Sequence, residues 1–328
     1  MKRGRKIVAW AFATTVTLLL AALAGSSFYM LDFALSPLQR TDDEALTRLA
    51  SHAPQQVMQW VDSMRHDGRL RDTVVNIDGV AAHAWIAAAE RPTTATALIV
   101  HGYKDTGLSM MHIAYLYHHD LGMNVCLPDL PAHGHTPGDH IDMGWAADRA
   151  HVKRWIAVAD RLFGGDTAAT HMVLHGISMG ASTVMNVAGD SLPSCVRCVV
   201  EDCGYTSAWG EFSWQLGQMF GLPDFPLLYT TSALCRAKYG WTFSQASSVR
   251  QVEKCRLPML FIHGDSDDFV PTAMVHELYQ AKPQPKQLWL APGSAHARAY
   301  SDHPAEYTRL VRDFVARWTA NGDSPSHR

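Results

Sequence analysis

Beyond Arg91-Pro92 the chain alternates short apolar runs with amphipathic stretches, and that rhythm restricts the fold more than any other feature. The runs 95–100, 123–127, 172–174, 198–200, 259–262 and 287–290 are strand candidates, while 108–119, 145–162, 179–188, 273–280 and 305–318 carry helical periodicity. Such alternation predicts an α/β chain, with a mostly parallel sheet covered by helices on both faces. Chemistry in these sheets gathers at the carboxyl ends of the strands, so the residues just past each run carry the functional reading. Upstream, 73–78 and 80–88 flank Asp78-Gly79, a strong hairpin signal, and 43–66 reads as a helical connector. The segment 205–253 holds no strand of this kind and reads as a small helical cap inserted between the sixth and seventh core strands.

The N-terminus has a different character. Lys2, Arg3, Arg5 and Lys6 precede an uncharged run from residue 7 to 24, and the apolar and aromatic character continues through Phe28, Tyr29, Met30 and Leu31. Cations ahead of such a run stay on the cytosolic side. Whether the segment is an uncleaved anchor, the favoured reading, or a signal peptide cut near Ala22-Leu23-Ala24, everything after about residue 35 is expected outside the cytoplasm. The net charge of −3 is set against four cations confined to this tip, so nothing points to nucleic acid as a partner. The chain therefore divides into an anchor or signal segment 1–35, the connector 36–71, a core domain 72–320 and a flexible tail 321–328.

Gly176-Ile-Ser178-Met-Gly180 follows an apolar run and precedes a helical stretch. A serine at a sharp strand-to-helix turn needs glycine two residues to either side, where side chains would collide. With roughly 0.1 chance matches expected at average composition, the context is what gives the motif weight. A second block, Gly189-Asp190-Ser191-Leu192, follows the end of a helix, precedes Pro193 and reads as a helix stop. Serine needs a histidine to take its proton, and that histidine needs a carboxylate. The run 259–262 leads into a loop with three competing acids, Asp265, Asp267 and Asp268; the run 287–290 leads into a turn that delivers His296. Asp202, at the end of the strand before the insertion, is a further rival. A developing oxyanion needs two preorganised N–H donors, one expected from Met179 and the other, after His101-Gly102, most simply from Tyr103.

The pieces His101-Gly102, Asp129-Leu-Pro-Ala-His133-Gly134-His135-Thr136, Gly176-Ile-Ser-Met-Gly180, His263-Gly-Asp-Ser-Asp267-Asp-Phe-Val-Pro271 and Gly293-Ser-Ala-His296 occur in one order across about residues 72–318. In this the sequence resembles an α/β-hydrolase of the serine esterase, lipase and peptidase type. It is similar to membrane-anchored bacterial hydrolases related to the prolyl-oligopeptidase and monoacylglycerol-lipase-like groups. The resemblance implies an α/β-hydrolase fold and selects Asp267 as the acid, giving Ser178, Asp267 and His296 as the catalytic set. The activity it implies is hydrolysis of a small-molecule carboxylic ester through an acyl-enzyme, with no cofactor. Peptidase, thioesterase and amidase share the same three residues and differ in the pocket; for an aminopeptidase, Glu211 or Asp224 would anchor the substrate amine. A binding module without turnover is the reading from outside enzymology.

The cap is rich in aromatics, and Trp209, Phe212, Trp214, Phe220 and Trp241 are the substrate-binding candidates, set against the plainer expectation that large apolar residues simply pack the cap. His112, His118, His119, His133, His135 and His140 cluster with Asp120, Asp129 and Asp139 but lack metalloprotease spacing, so a solvated loop rather than a metal site is expected. Six cysteines permit disulfides in an oxidising compartment, yet Cys126 and Cys198 sit in apolar runs as buried thiols. Cys195-Val-Arg-Cys198 lacks the second pair that a zinc site needs.

Overall fold

Asp78 and Gly79 both take positive φ, 51° and 89°, as a two-residue hairpin turn requires. They join β1 (Arg71–Ile77) to β2 (Val80–Ala87) in antiparallel register, Ile77 opposite Val80. The computed structural model describes residues 2–165 and 169–319, so the tail expected from 321 lies outside the described residues. The remaining strands are β3 (Ala95–Val100), β4 (Asn124–Pro128), β5 (His171–Ile177), β6 (Val196–Asp202), β7 (Met259–Gly264) and β8 (Lys286–Ala291). They run parallel to one another, and the eight-stranded order is β1-β2-β4-β3-β5-β6-β7-β8. The chain leaves β3 toward β4 on one side and later returns to place β5 on the other. The crevice at a sheet's carboxyl edge opens at such a switch point.

Strand side chains alternate between two buried layers, as a period of two demands. On β3, Leu98 and Val100 join one cluster, Ala97 and Ile99 the other. The first layer is covered by α1 (Lys2–Leu35), α5 (Ala146–Phe163), α6 (Met179–Ala188), α7 (Ala208–Phe220), α8 (Leu227–Tyr239), α9 (Ser248–Val252) and α10 (Ala273–Ala281). The second is covered by α2 (Asp42–Ala50), α3 (Gln55–His66), α4 (Met111–Tyr115), α11 (Ala299–Asp302) and α12 (Pro304–Thr319). The stretch 108–119, expected as one helix, is instead a 3-10 turn, the short α4 and a π turn. The insertion between β6 and β7 consists of α7, α8 and α9.

The connector is two helices rather than one, divided before Pro54, whose ring tolerates a helix start but not an interior. Thr41 and Glu44 close a capping box on α2, and Leu49, Val57, Trp60 and Val61 are buried in the second layer.

From Ile7 to Ala22 helix α1 is exposed and uncharged all round, and its stretch Arg5–Leu35, with a mean hydropathy of 2.2, is long and apolar enough to cross a membrane. Its last three turns instead pack on the domain through Ser27, Leu31 and Leu35. A helix leaves its last four carbonyls without intrahelical partners. Here the Asp32 carbonyl accepts from the Ser36 N–H, Phe33 from Lys104 Nζ, Ala34 from the Tyr103 hydroxyl and Leu35 from the Ile141 N–H.

Candidate active site

Strand β5 ends at Ile177 and α6 begins at Met179, leaving Ser178 on the turn with φ 58° and ψ −119°. That backbone conformation costs on the order of 1–3 kcal/mol for a residue with a side chain. The crowding around it explains the two glycines. A Cβ on Gly176 would lie 2.1 Å from the Gly180 carbonyl oxygen, and one on Gly180 would lie 2.1 Å from that of Val100. The Ser178 N–H donates to the Asp202 carbonyl at 2.8 Å, tying the turn to the neighbouring strand.

Two further strand ends meet this serine. After β8 the turn at Gly293 carries His296, whose Nε2 lies 2.9 Å from Ser178 Oγ. After β7 the loop carries Asp267, with Oδ2 2.7 Å from His296 Nδ1. The other oxygen, Oδ1, accepts from the Phe269 and Val270 N–H groups, which aims the carboxylate. The two loops are pressed together: a Cβ on Gly264 would sit 2.1 Å from the Ser294 carbonyl oxygen. Burial pushes the Asp267 carboxyl up, but hydrogen bonds and favourable electrostatics from the His263 and His296 imidazoles more than offset this and bring it to about 2. His263 was not singled out in the sequence. Its Nε2 donates to the Val270 carbonyl and stands 3.4 Å from Asp267, and its position four residues before the acid was the available signal.

None of the rival acids is hydrogen-bonded to His296. Asp265 accepts from the Gly293 N–H and shapes the turn. Asp268 lies on the cap side, its carbonyl accepting from Trp214 Nε1. Asp202 accepts from the Tyr307 hydroxyl at 2.9 Å, and burial pushes its carboxyl up to about 6.

Gly102 packs against this turn, since a Cβ there would stand 3.5 Å from that of Ser178. Met179 opens α6, so its N–H lacks an intrahelical acceptor. The aim of the Tyr103 N–H follows from His101. The Leu130 N–H donates to His101 Nε2 at 3.0 Å, which leaves the ring proton on Nδ1, and Nδ1 donates to the Gly102 carbonyl at 2.8 Å. A trans peptide is planar with its C=O and N–H opposed. Holding the Gly102 carbonyl therefore directs the Tyr103 N–H the other way, and it donates to no acceptor among the described residues. In the sequence His101 marks a strand end and opens a piece shared with the family, but nothing there gives its ring this role.

The histidines after β3 and β4 correct the expectation of a solvated loop. His112, His118 and His133 are buried, and burial pushes His112 and His133 down to about 3. His133 Nε2 accepts from the Lys104 N–H, and the His83 ring lies 2.7 Å from Asp129, whose carboxylate also accepts from the Gly107 and His135 N–H groups. His119, His135 and His140 pair separately with Asp120, Asp42 and Asp139. These side chains brace the loops rather than converge on one point. Among the described residues Cys203, Asp267 and His296 approach one another closely enough for an ion, but the last two are already engaged with each other and with Ser178. Burial also holds the Cys203 thiol in its neutral form. All six cysteines are free and buried, Cys195 and Cys198 included.

Above Ser178 lies a cavity of about 220 Å³, walled largely by apolar side chains. Phe212 and Phe220 line it, whereas Trp209, Trp214 and Trp241, also expected there, do not. Trp209 packs edge-on against Tyr229, Trp241 is buried against Phe243, and Trp214 is held by its bond to Asp268. Packing within the cap, and of the cap on the loop after β7, claims these three rings. Met30, Phe33 and Ala34 of α1 form part of the wall, a contribution that apolarity alone did not reveal. Glu211 also faces the cavity, 4% exposed, with Oε1 accepting from Gln215 and Oε2 without a partner among the described residues. Burial pushes its carboxyl up to about 8.

A family model described as the prolyl oligopeptidase family matches residues 150–322. The chain is 27% identical over 228 residues to the uncharacterized protein YqkD of Bacillus subtilis strain 168, covering 69% of this chain and 73% of the relative. Over 244 residues it is 25% identical to the uncharacterized protein YfhR of Escherichia coli K12, covering 73% and 77%. Among solved structures, the Pyrococcus furiosus esterase Pf2001 superposes with a TM-score of 0.60 at 19% identity, over 78% of this chain and 96% of that one. The Pyrococcus horikoshii acylaminoacyl peptidase does so with a TM-score of 0.57 at 14% identity, over 80% and 44%. At such identities the structural likeness establishes the α/β-hydrolase fold.

Proposed function

The chain belongs to the prolyl oligopeptidase family of α/β-hydrolase serine hydrolases, and on that premise we propose that it cleaves carboxylic esters through an acyl-enzyme on Ser178, outside the cytoplasm, tethered by α1. The observation that carries this reading is the unbroken hydrogen-bonded line from Ser178 Oγ through His296 to Asp267, at 2.9 and 2.7 Å. In the proposed reaction Ser178 Oγ attacks the ester carbonyl while His296 Nε2 takes its proton. Asp267 fixes the tautomer and stabilises the imidazolium. The Tyr103 and Met179 N–H groups hold the oxyanion, and His296 returns the proton to the departing alkoxide. Water then repeats the sequence on the acyl-enzyme and releases the acid. None of these steps needs a cofactor.

Glu211 bears on the choice between ester and peptide. An aminopeptidase would use a cavity carboxylate to hold the substrate ammonium. With its carboxyl raised to about 8 by burial, Glu211 is mostly neutral at pH 7 while no cation lies beside it, which suits an acyl or other apolar group in the cavity. Four cations at the start of α1, ahead of its apolar run, support the cytosolic placing of its N-terminus.

The test is Ser178→Ala. Fluorophosphonate labelling and p-nitrophenyl ester turnover should both vanish, turnover falling by ~10⁴- to 10⁶-fold, with the melting temperature preserved. Undiminished turnover would refute the assignment. Across chain lengths from acetyl to decanoyl, a flat profile would refute an acyl-selecting cavity.

A further inference from the structure

We infer that the cavity is filled from the lipid bilayer: its mouth lies at the membrane surface, and its substrate is a fatty-acyl ester resident in the leaflet beside α1. This rests on the ester-hydrolase reading above and adds the source and class of the substrate.

The argument begins with distances along α1. A hydrocarbon core of ~30 Å takes up about 20 helical residues, the length of the exposed apolar stretch from Ile7 to Ser26. Ser27 is the first side chain buried against the domain, so the bilayer surface falls near it. Met30 and Phe33, which line the cavity, lie three and six residues further on, or about 4.5 and 9 Å at ~1.5 Å per residue. The cavity wall therefore begins roughly one helical turn or two above the lipid.

The cap is pegged at the same height. Ser27 Oγ and Thr230 Oγ1 are 2.7 Å apart, which places the first turns of α8 and the loop before it level with the bilayer surface. That part of the cap is unusually apolar for an exposed surface. Leu222, Phe225 and Tyr229 are 44%, 72% and 55% exposed, and Phe28 and Tyr29 of α1 are 59% and 61% exposed. Isolated exposed apolar residues need no explanation, but a contiguous group beside a membrane-crossing helix marks a lipid contact. Aromatic residues favour this depth. The acids in the belt, Asp32 and Asp224, are hydrogen-bonded by Ser36 and Ser213, which suits the headgroup layer and limits how deeply the cap can sink.

The belt is continuous with the cavity. Phe33 and Phe220 meet edge-on at 5.9 Å, both line the cavity, and both are partly exposed, so they form its rim on the membrane side. An acyl chain leaving the leaflet there passes from lipid to rim to the apolar wall of Phe212 and Leu216, and its ester carbonyl reaches Ser178 without crossing water. The bond broken is the acyl C–O bond; the fatty acid and the alcohol headgroup both return to the interface.

The experiment uses the full chain reconstituted in phosphatidylcholine vesicles. Two bilayer substrates, monooleoylglycerol and oleoyl-lysophosphatidylcholine, are compared with soluble p-nitrophenyl acetate in wild type and in the triple variant Leu222→Asp/Phe225→Asp/Tyr229→Asp, three belt residues that do not line the cavity. Turnover of the hydrolysed bilayer substrate should fall by about tenfold or more in the variant, with acetate turnover unchanged. Preference between the two lipids distinguishes an uncharged from a zwitterionic headgroup. Equal bilayer turnover in variant and wild type overturns the inference and leaves the ester-hydrolase reading intact. Wild type that cleaves the acetate but neither lipid does the same, whereas wild type that cleaves no ester overturns both. A second measurement does not depend on turnover: a fluorophore on Tyr229→Cys, selective because the six native thiols are buried, should be quenched by vesicles carrying headgroup-proximal spin-labelled lipid. Absence of quenching also overturns the inference.

Discussion

At the sheet edge a single added Cβ at Gly176 or Gly180 would fall 2.1 Å from a backbone carbonyl, whereas across the cavity Met219, Phe220 and Phe33 stand partly in the open. The floor that carries Ser178 and the roof over it are thus made to different tolerances. On the floor, backbone meets backbone, and each polar group is aimed by a partner of fixed geometry: Asp267 by two N–H groups, the Gly102 peptide by His101. The roof is apolar side chains on two short helices and the end of α1, where many substitutions conserve volume. Reaction type belongs to the floor, substrate choice to the roof.

The sharpest way to break this division is at the acid. Asp267→Asn should reduce kcat on a short ester by ~10⁴-fold by leaving His296 in the wrong tautomer. Asp202→Asn, which touches Tyr307 instead, should cost less than about tenfold. Steady-state kinetics with the reverse ranking would move the acid to the end of β6. Because Asp267 titrates near 2 rather than its ordinary 3.8, its ion stabilises the fold fully above pH 4, and that contribution is lost as pH falls toward 2.

A smaller effect is expected in the roof. Phe212→Ala should lower the ratio of decanoyl to acetyl turnover by about tenfold, the scale of a few methylene contacts. Trp241→Phe, at a ring buried against Phe243 within the cap and away from the cavity, should lower the melting temperature and leave that ratio alone. If Trp241→Phe shifts chain-length preference as strongly as Phe212→Ala, floor and roof are not separable.

The smallest effect is set by pH. As pH rises through about 8, Glu211 becomes charged inside the cavity, and KM for a long-chain ester should rise ~3-fold, a rise absent in Glu211→Gln. The sign for stability follows from a folded pKa above the ordinary 4.5. The folded state prefers the neutral acid, so its advantage fades as pH climbs from 4.5 through about 8, and Glu211→Gln should melt higher than wild type at pH 9. Equal melting temperatures there would mean that the carboxyl finds water.

Much of the floor could be read from the chain because its requirements are local. A strained serine demands its flanking glycines, and strand ends demand their loops, so order and spacing point to Ser178, to His296 and to an acid in the loop after β7; the choice of Asp267 among three acids there rests on the family resemblance. Two floor residues escaped, His101 and His263, since their partners, Leu130 and Val270 among them, are fixed only by folding. The roof was read less well for a related reason. Which face of α7 looks inward depends on where α8 and the sheet lie, so Phe212 and Trp209, three residues apart, could not be told apart by type. The histidines after β4 misled in the same way: polar residues in a turn look solvated until other loops close over them.

The four final carbonyls of α1 are each held by a different partner, Lys104, Tyr103 and Ile141 among them. Someone wishing to handle this enzyme in water would be tempted to start the polypeptide at Ser36. That shortened version would lose the acceptors of the Tyr103 hydroxyl and the Lys104 ammonium, on the turn that follows β3, and one side of the cavity. Assayed in that form, it would report the substrate range of a different catalyst.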